Sequence, residues 1–474
     1  MATMKHVNPD DIRTLFSRAM SDMYRAEAPQ YGALLELVAD VNDETLRRDP
    51  DLKASLERAG ELDRLSVERH GAIRLGTAQE LVAIRRVFAV MGMHPVGHYD
   101  LSVAGIPAHS TAFRPINDEA LRRNPFRVFT SLLRLKLIED EGLRAEATAI
   151  LAARKILTPR AIELVAAYER QGSLTAEQAK EFVREALETF RWHGKATVTV
   201  ETYNRLNDAH RLIADVVSFR GPHINHLTPR TLDIDAAQAG MPKRGITPKA
   251  VIEGPPRRNC AILLRQTSFK ALEETVAFKS AAGGTVAGAH TARFGEIEQR
   301  GAALTPKGRK IYDDLLASVR GEVQVGSSGE NASGYATELA QRFKTLPDDW
   351  STLRAEGLAF FRYSAPRAGI EAVRSDNLPR SIEALIANGY LRFDPIIYED
   401  FLPVSAAGIF RSNLGGDAQQ YHHGERANRA LFEEALGQPV LDEFDLYARA
   451  EKASLEAALD ELGLASRRWR PESG

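Results

Sequence analysis

The chain has 474 residues, of which 44% are hydrophobic and 27% are charged, which is enough apolar material for one large core or for two to three smaller ones. Lysine and arginine total 62 against 64 aspartates and glutamates, so the net charge of −2 provides no general attraction to nucleic acid or to an anionic membrane. The single cysteine, Cys260, excludes an intramolecular disulfide and any zinc site built from several cysteines, which leaves histidine, aspartate and glutamate as candidate metal ligands.

The N-terminal segment, MATMKHVNPDDIRTLF, becomes acidic and helical and does not show a basic region followed by an apolar one. No uninterrupted apolar run approaches the length that spans a membrane. We therefore expect a soluble cytoplasmic protein whose partners are small molecules or other protein chains, with no nucleic acid or membrane among them.

Residues 1–116 are predicted to contain N-terminal helices and the first part of a catalytic sheet. Over residues 9–40 the apolar side chains recur at helical spacing, and Asp10 or Asp11 can cap the first helix. From Leu65 onward, glycine and proline interrupt short apolar segments, as is typical of strands and turns, in SVERHGAIRLG and FAVMGMHPVGHYDLSVAGIP.

Residues 117–193 are predicted to form a helical insertion, and residues 194–303 to complete the sheet and carry the metal ligands. Helix formers with apolar residues at helical intervals dominate the insertion, in RVFTSLLRLKLIEDEGLRAEATAILAARK and TAEQAKEFVREALETFRW. After it, β-branched and aromatic residues cluster between turn signals, in KATVTVETY, DVVSFRGPHINHLT, CAILLRQTSFKAL and HTARFGEIEQRG.

Residues 304–474 are predicted to form a mixed C-terminal region that closes the site. Thr305 before Pro306 begins a helix, residues 321–335 are rich in glycine and serine, and residues 426–465 are helical. Because strands and helices occur in separate blocks and not in regular alternation, the predicted fold class is α+β, with a mixed or antiparallel sheet surrounded by helices.

His223 and His226 lie three residues apart and follow a Gly-Pro turn. On a helix both would face one side, whereas on a strand they would point to opposite faces, so that only one could line a shared pocket. The preceding DVVSF favours the strand, and we therefore expect one metal ligand from this pair.

His70 and Arg74 are four residues apart, a spacing that puts both on one face of either a strand or a helix. A guanidinium can hold a carboxylate through two parallel hydrogen bonds, so a metal ligand and an anion-binding group could share one pocket. The alternative for Arg74 is a salt bridge to Glu68 or Glu80.

Glu296 and Glu298 flank Ile297, and strand alternation puts both acids on one face, so spacing leaves open which of them is a ligand. Two imidazoles and one carboxylate suit Fe(II), because three ligands on one octahedral face leave three adjacent positions for substrate and dioxygen. A zinc hydrolase could use the same residue types. Covalent catalysis is disfavoured, because no serine nucleophile elbow is present and Cys260 lies at the entry of an apolar strand, where a structural role is expected.

Along nearly its whole length the chain resembles the 2-oxoadipate dioxygenase/decarboxylase family, also called 2-hydroxyglutarate synthase. The segments that carry the resemblance are ERHGAIRLG, FRGPHINHLTPRTLDID, HTARFGEIEQRG and FLPVSAAGIFRSNL. It implies a fold like that of the vicinal-oxygen-chelate enzymes with added helices. It also implies that two histidines and a glutamate bind Fe(II), and these roles fall on His70, His226 and Glu296.

The same resemblance makes Arg74 the substrate-binding arginine and puts Val404 and Ser405 in the segment that closes over the substrate. The implied reaction converts 2-oxoadipate and O2 into (R)-2-hydroxyglutarate and CO2 in bacterial lysine catabolism. Two alternatives stay open on the residues alone. One is a lyase, isomerase or hydrolase of a small oxo acid that depends on zinc, manganese or nickel, and the other is a non-catalytic binding protein.

Overall fold

A computed structural model describes residues 6–464 except 103–104, 281, 292, 324–329, 374–377 and 403–420. Its strands are β1 (His6–Val7), β2 (Arg69–Leu75), β3 (His94–Asp100), β4 (Ala108–Arg114), β5 (Arg127–Leu133), β6 (Leu174–Thr175), β7 (Lys195–Thr199), β8 (Leu227–Pro229), β9 (Leu264–Ser268), β10 (Glu274–Lys279), β11 (Thr285–His290), β12 (Glu296–Arg300), β13 (Phe361–Ser364) and β14 (Arg392–Pro395). Its α-helices are α1 (Pro9–Glu27), α2 (Pro29–Arg48), α3 (Pro50–Ala59), α4 (Ala78–Ala89), α5 (Asp118–Arg123), α6 (Glu141–Ala152), α7 (Pro159–Gln171), α8 (Ala176–Leu187), α9 (Val200–Ala209), α10 (Arg211–Ser218), α11 (Ile234–Gly240), α12 (Pro306–Glu322), α13 (Ala332–Arg342), α14 (Trp350–Ala355), α15 (Arg367–Val373), α16 (Ile382–Ala387), α17 (Tyr421–Leu436) and α18 (Glu443–Glu461). The α+β fold class is confirmed, and within the described ranges no helix combines the length and apolar character that crossing a membrane needs.

The helices predicted over residues 9–40 are present as α1 and α2, and their buried faces pack in the protein core. The cap of α1 differs from the prediction, because the side chain of Asn8 accepts a hydrogen bond from the backbone N–H of Asp10. Asp10 and Asp11 lie in the first turn, where a negative charge favours the positive end of the helix dipole. The predicted cap of α12 is confirmed, since Thr305 accepts from the backbone N–H of Gly308.

Five strands form the largest sheet of the described residues, in the order β3-β4-β5-β2-β8. β2 is paired in parallel with β5 on one side and in antiparallel with β8 on the other. The prediction of a helix for RVFTSLL is wrong, because this segment is β5. All seven residues of β5 are buried, so the strand lacks the polar-apolar alternation that would have distinguished it from a helix. The helices that follow it were predicted and are present as α6, α7 and α8.

The prediction of a strand for DVVSF is also wrong, because most of this segment belongs to α10. His210 caps this helix by accepting from the backbone N–H of Leu212. Every residue of α10 after Arg211 is buried, so no polar face reveals its helical spacing. An extended segment without regular structure then leads to β8 and carries His223 and His226.

A second, antiparallel pair of strands, β9 and β12, lies beside the end of β8. Arg230, which follows β8, forms a parallel bridge with Glu298 of β12. The backbone N–H of Thr231 donates to the carbonyl oxygen of Glu298 at 2.7 Å. Side chains from β2, from the segment before β8 and from β12 therefore meet at one junction.

Candidate metal centre

The three predicted ligands meet at this junction. His70 is the second residue of β2, His226 directly precedes β8, and Glu296 is the first residue of β12. The Nε2 atom of His70 lies 3.1 Å from Oε2 of Glu296, and the Nε2 atom of His226 lies 3.7 Å from the same oxygen. One ligand atom from each residue lies within 4.8 Å of the others, and all three residues are buried. Their spacing suits a shared metal ion, and their role as its ligands stays a prediction.

Two neutral donors hold the Glu296 carboxylate in place. Thr228 Oγ1 donates to Oε2 of Glu296 at 3.0 Å, and Gln266 Nε2 donates to the same oxygen at 3.1 Å. Both donors sit on neighbouring strands, β8 and β9, so the backbone ladders determine where the carboxylate lies. Neither Thr228 nor Gln266 was predicted as a site residue, because polar side chains inside apolar strands carry no signal of what they face.

The His226 imidazole has no hydrogen bond to any described residue, and its Nδ1 atom is fully buried. Burial lowers the pKa of His226 to about 4, so the ring is neutral and keeps a free lone pair at neutral pH. Burial would raise the pKa of Glu296, but the nearby His226 and His70 bring it below its usual value, so this acid is a carboxylate. A buried polar group without a hydrogen bond costs free energy, and a bound metal ion would compensate for this cost.

Glu298, the alternative ligand, contacts the other nitrogen of the same imidazole. Its Oε2 atom lies 2.9 Å from Nδ1 of His70, whereas Glu296 lies beside Nε2. Arg300 binds Glu298 through a two-pronged contact with distances of 2.8 and 2.9 Å. Burial opposes ionisation of Glu298, but Arg300 and His70 lower its pKa to about 2. Glu296 thus lies close to both imidazoles, and Glu298 lies behind one of them.

Glu298 belongs to a buried ionic network in which four carboxylates and four guanidiniums balance in charge. Glu68 is its central acid, with arginine nitrogens at 2.9, 3.1 and 3.1 Å. The members are Glu61, Glu68, Glu298, Glu399, Arg64, Arg127, Arg230 and Arg300. Removing one partner from such a network leaves an uncompensated buried charge, so the network holds the strands of the junction in a defined register.

Aromatic rings enclose the two imidazoles. The Phe401 ring is edge-on to His70 at a centroid distance of 5.0 Å, and the Phe294 ring stacks on His226 at 4.8 Å. Phe401 is fully buried and Phe294 is 8% exposed, so water has little access from these sides. Val404 and Ser405, which follow shortly after Phe401, lie outside the described residues.

Arg74 lies on the same face of β2 as His70, but neither predicted salt-bridge partner contacts it. Glu68 pairs inside the ionic network and Glu80 pairs with Arg154. The Nη1 atom of Arg74 instead lies 2.6 Å from Oδ2 of Asp215, a residue of the mispredicted helix α10.

His223 faces Asp215 at 3.3 Å and not the three-residue cluster. Of the two histidines, His226 is the one beside Glu296, although the segment is irregular and is not a strand, and the prediction of one metal ligand from this pair stays a prediction. His290 also contacts Asp215, at 3.0 Å. Neither His290 nor Asp215 was predicted as a site residue, because neither stands out in the sequence pattern.

The fold and the junction together define an α+β protein with a buried group of two histidines and one carboxylate that has the spacing of a metal site. The model of the 2-oxoadipate dioxygenase/decarboxylase family matches residues 16–413. The enzyme of that name from Pseudomonas putida is 57% identical over 460 residues, which cover 97% of this chain and 98% of that protein. The one from Escherichia coli is 59% identical over 449 residues, which cover 94% of this chain and 98% of that protein.

The crystal structure of hydroxyglutarate synthase from Pseudomonas putida in complex with 2-oxoadipate matches with a TM-score of 0.90 at 55% identity. The match covers 98% of this chain and 100% of that chain. The chain belongs to the 2-oxoadipate dioxygenase/decarboxylase family, and the resemblance inferred from the sequence is confirmed.

Proposed function

We propose that the chain is an Fe(II)-dependent dioxygenase/decarboxylase that converts 2-oxoadipate and O2 into (R)-2-hydroxyglutarate and CO2. Family membership supports the reaction, and the relative from Pseudomonas putida was crystallised with 2-oxoadipate. One observation carries the proposal for the site: two buried imidazoles converge on one carboxylate oxygen, at 3.1 and 3.7 Å, and one of them has no hydrogen bond to a described residue. Lysine catabolism in the bacterial cytoplasm is the setting that the proposed substrate implies.

The donor set fits Fe(II). His70 and His226 would each provide an imidazole nitrogen and Glu296 a carboxylate oxygen, the set of three ligands that leaves adjacent coordination positions open in non-haem iron oxygenases. When bound, the iron would supply the oxidative chemistry with dioxygen, which protein side chains cannot perform. Zinc accepts the same ligands, so the choice of Fe(II) rests on the proposed reaction.

The protein's own part in the reaction is binding, orientation and exclusion of water. Arg74, which lies four residues after His70 on the same face of β2, would pair with the carboxylate of 2-oxoadipate that is distant from the 2-oxo group. Phe401 and Phe294 would keep water from the reacting atoms, which protects an oxidising centre from side reactions. Val404 and Ser405 are proposed to complete the closure over the substrate.

An oxygen-uptake experiment tests the reaction. Protein loaded with Fe(II) under anaerobic conditions is mixed with 2-oxoadipate and air-saturated buffer, and O2 consumption, CO2 release and the chirality of the product are measured. We expect equal amounts of O2 consumed and CO2 released. Turnover of 2-oxoadipate without O2 consumption would instead indicate a lyase, isomerase or hydrolase on this scaffold.

A pair of histidine variants tests the site. His226→Ala should abolish both iron binding and activity. His109→Ala removes another buried imidazole, on β4, a strand that holds none of the proposed ligands. This variant should retain one iron per chain. Full activity of His226→Ala, or equal iron loss in both variants, would contradict the proposed ligand set.

A further inference from the structure

A second buried cluster, formed by Asp215, His223 and His290, lies beside Arg74 and is separate from the group of His70, His226 and Glu296. His290 Nε2 lies 3.0 Å from Oδ1 of Asp215, and His223 Nε2 lies 3.3 Å from the same oxygen. The hydroxyl of Tyr203 lies 2.8 Å from the other nitrogen of His290. Asp215, His223 and His290 have the spacing of a metal site, yet their contacts favour a different role.

A guanidinium already pairs with the carboxylate of this cluster. Oδ2 of Asp215 faces the Arg74 guanidinium at 2.6 Å, and the Tyr203 hydroxyl lies 2.8 Å from Nδ1 of His290. A divalent cation in the cluster would also lie next to the guanidinium charge, with little solvent to screen their repulsion. The cluster is therefore better described as a hydrogen-bonded support for one carboxylate.

That carboxylate holds one side of the Arg74 fork. Nη1 of Arg74 contacts Asp215. In the amide orientation in which the side-chain oxygen of Asn225 accepts from His223 and Arg74, Nη1 of Arg74 also lies 3.2 Å from that oxygen. Nε and Nη2 of Arg74 have no hydrogen bond to a described residue, and the side chain is 19% exposed. The free edge of a guanidinium can bind a second carboxylate through two parallel hydrogen bonds.

The surroundings keep Asp215 ionised while a second carboxylate approaches. Burial would raise the pKa of Asp215, but Arg74 and His223 hold it well below its usual range. The contacts from His223 and His290 spread its charge, so the guanidinium remains a net attractor for the incoming anion.

We propose that Asp215 is the positioning residue for Arg74, and that it orients the free edge of the guanidinium toward the distal carboxylate of a dicarboxylic 2-oxo acid. The inference rests on the proposed function, because it assumes that Arg74 binds the substrate. It makes Asp215, with His290 behind it, a determinant of the preference for 2-oxo acids that carry a second carboxylate.

A double-mutant cycle tests the proposal. The variants are Asp215→Asn, Arg74→Gln and the double variant, and the readout is kcat/KM for 2-oxoadipate. Asp215→Asn should lower kcat/KM roughly 10- to 100-fold, the range expected for loss of one charge-assisted hydrogen bond, mainly through a higher KM. In the Arg74→Gln background the same substitution should change kcat/KM by less than about threefold.

A competing ligand provides a readout that a general loss of stability would not change. 2-Oxohexanoate has the same 2-oxo acid group and chain length but lacks the distal carboxylate. Its inhibition constant should be the same in the wild type and in Asp215→Asn. Asp235→Asn, which removes a carboxylate 2.7 Å from Arg265, is the matched control and should leave kcat/KM unchanged.

Three results would overturn the proposal: additive effects of the two substitutions, equal weakening of 2-oxoadipate and 2-oxohexanoate, or two metal ions per wild-type chain falling to one in Asp215→Asn. The last result would show that the cluster is a metal site. If Asp215→Asn does not fold, His290→Leu and His290→Gln replace it. Gln keeps a donor toward Asp215 and should retain kcat/KM, whereas Leu should lower it, and equal values would also overturn the proposal.

Anaerobic binding of 2-oxoadipate to the iron-loaded protein is measured beside turnover. Absence of turnover in the wild type would refute the proposed function, while the binding constants of the same variants would still report on Asp215. The failure of one proposal is therefore distinguishable from the failure of the other.

Discussion

Glu298→Gln is expected to weaken Fe(II) binding without removing a ligand. The Glu298 carboxylate lies 2.9 Å from Nδ1 of His70, so it favours the ring form that carries a proton on Nδ1 and would leave the Nε2 lone pair available to a metal ion bound between His70 and Glu296. A carboxylate behind a metal-binding imidazole also raises its basicity as a ligand. Gln keeps the shape of the side chain but loses the charge.

The size of the effect follows from that contact. Removing a group that orients a metal-binding imidazole from behind typically lowers metal affinity about 10- to 100-fold. The Kd for Fe(II) should therefore rise roughly 10- to 100-fold, which corresponds to about 1.4–2.8 kcal/mol. Glu296→Gln removes a charged ligand and should weaken binding further.

Stability has to be measured together with metal affinity. Glu298→Gln also leaves Arg300 without its closest carboxylate, which should lower the free energy of unfolding of the metal-free protein by about 3 kcal/mol. Glu61→Gln is the matched control, because Glu61 pairs with Arg230 at 2.9 Å in the same network. It should lower stability while leaving the Kd for Fe(II) nearly unchanged.

The assay is an anaerobic competition between the protein and a coloured ferrous chelator, with urea unfolding of each metal-free variant in parallel. The proposed role of Glu298 is refuted if Glu298→Gln binds no iron while the Kd of Glu296→Gln for Fe(II) stays within about tenfold of the wild-type value. That outcome would exchange the roles of the two acids.

Three further outcomes are expected. Gly71→Ala should lower the free energy of unfolding by about 1–3 kcal/mol, and it should also weaken iron binding. A Cβ atom at this position would lie 2.6 Å from Cδ1 of Ile224 and 3.0 Å from the carbonyl oxygen of His226. An unchanged melting temperature would contradict this expectation. The Cys260 thiol should react with a thiol reagent at pH 8 only after unfolding, since it is buried and burial raises its pKa to about 12; rapid reaction of native protein would show that it is accessible. Burial opposes ionisation of Glu399, but Arg127 and Arg64 beside it bring its pKa to about 2. The contribution of the Glu399 carboxylate to stability is therefore present above pH 4.5 and is lost as the pH falls toward 2. Urea unfolding of Glu399→Gln should show a smaller loss of stability over that pH range than the wild type, and an identical pH dependence would contradict the assignment.

The parts of the fold that sequence could predict are those with one exposed face. α1, α2 and α12 have polar and apolar sides, so helical spacing was visible and the predictions are confirmed. The residues of β5, and those of α10 after Arg211, are all buried, and periodicity cannot separate a strand from a helix when no face of the element is exposed. The two errors therefore have one physical cause.

At the site, donor types and strand alternation limited the choice of ligands but could not complete it. Alternation puts Glu296 and Glu298 on one face of β12, which is correct, and it cannot tell which of them lies beside both imidazoles. That distinction depends on the long-range register between β12 and β8, through the bridge of Arg230 with Glu298. Family resemblance selected Glu296 where spacing could not.

The contact between Arg74 and Asp215 is likewise a long-range feature that the local sequence could not predict. Glu68 and Glu80 were considered because they are near in sequence, yet each is bound to other arginines, and the carboxylate that contacts Arg74 lies 141 residues away on α10. A substrate-binding arginine held by a local acid could change partner when the substrate enters. An arginine held by a carboxylate that is itself supported by His223 and His290 keeps its direction, so under the proposed function Arg74 would meet the substrate carboxylate already oriented.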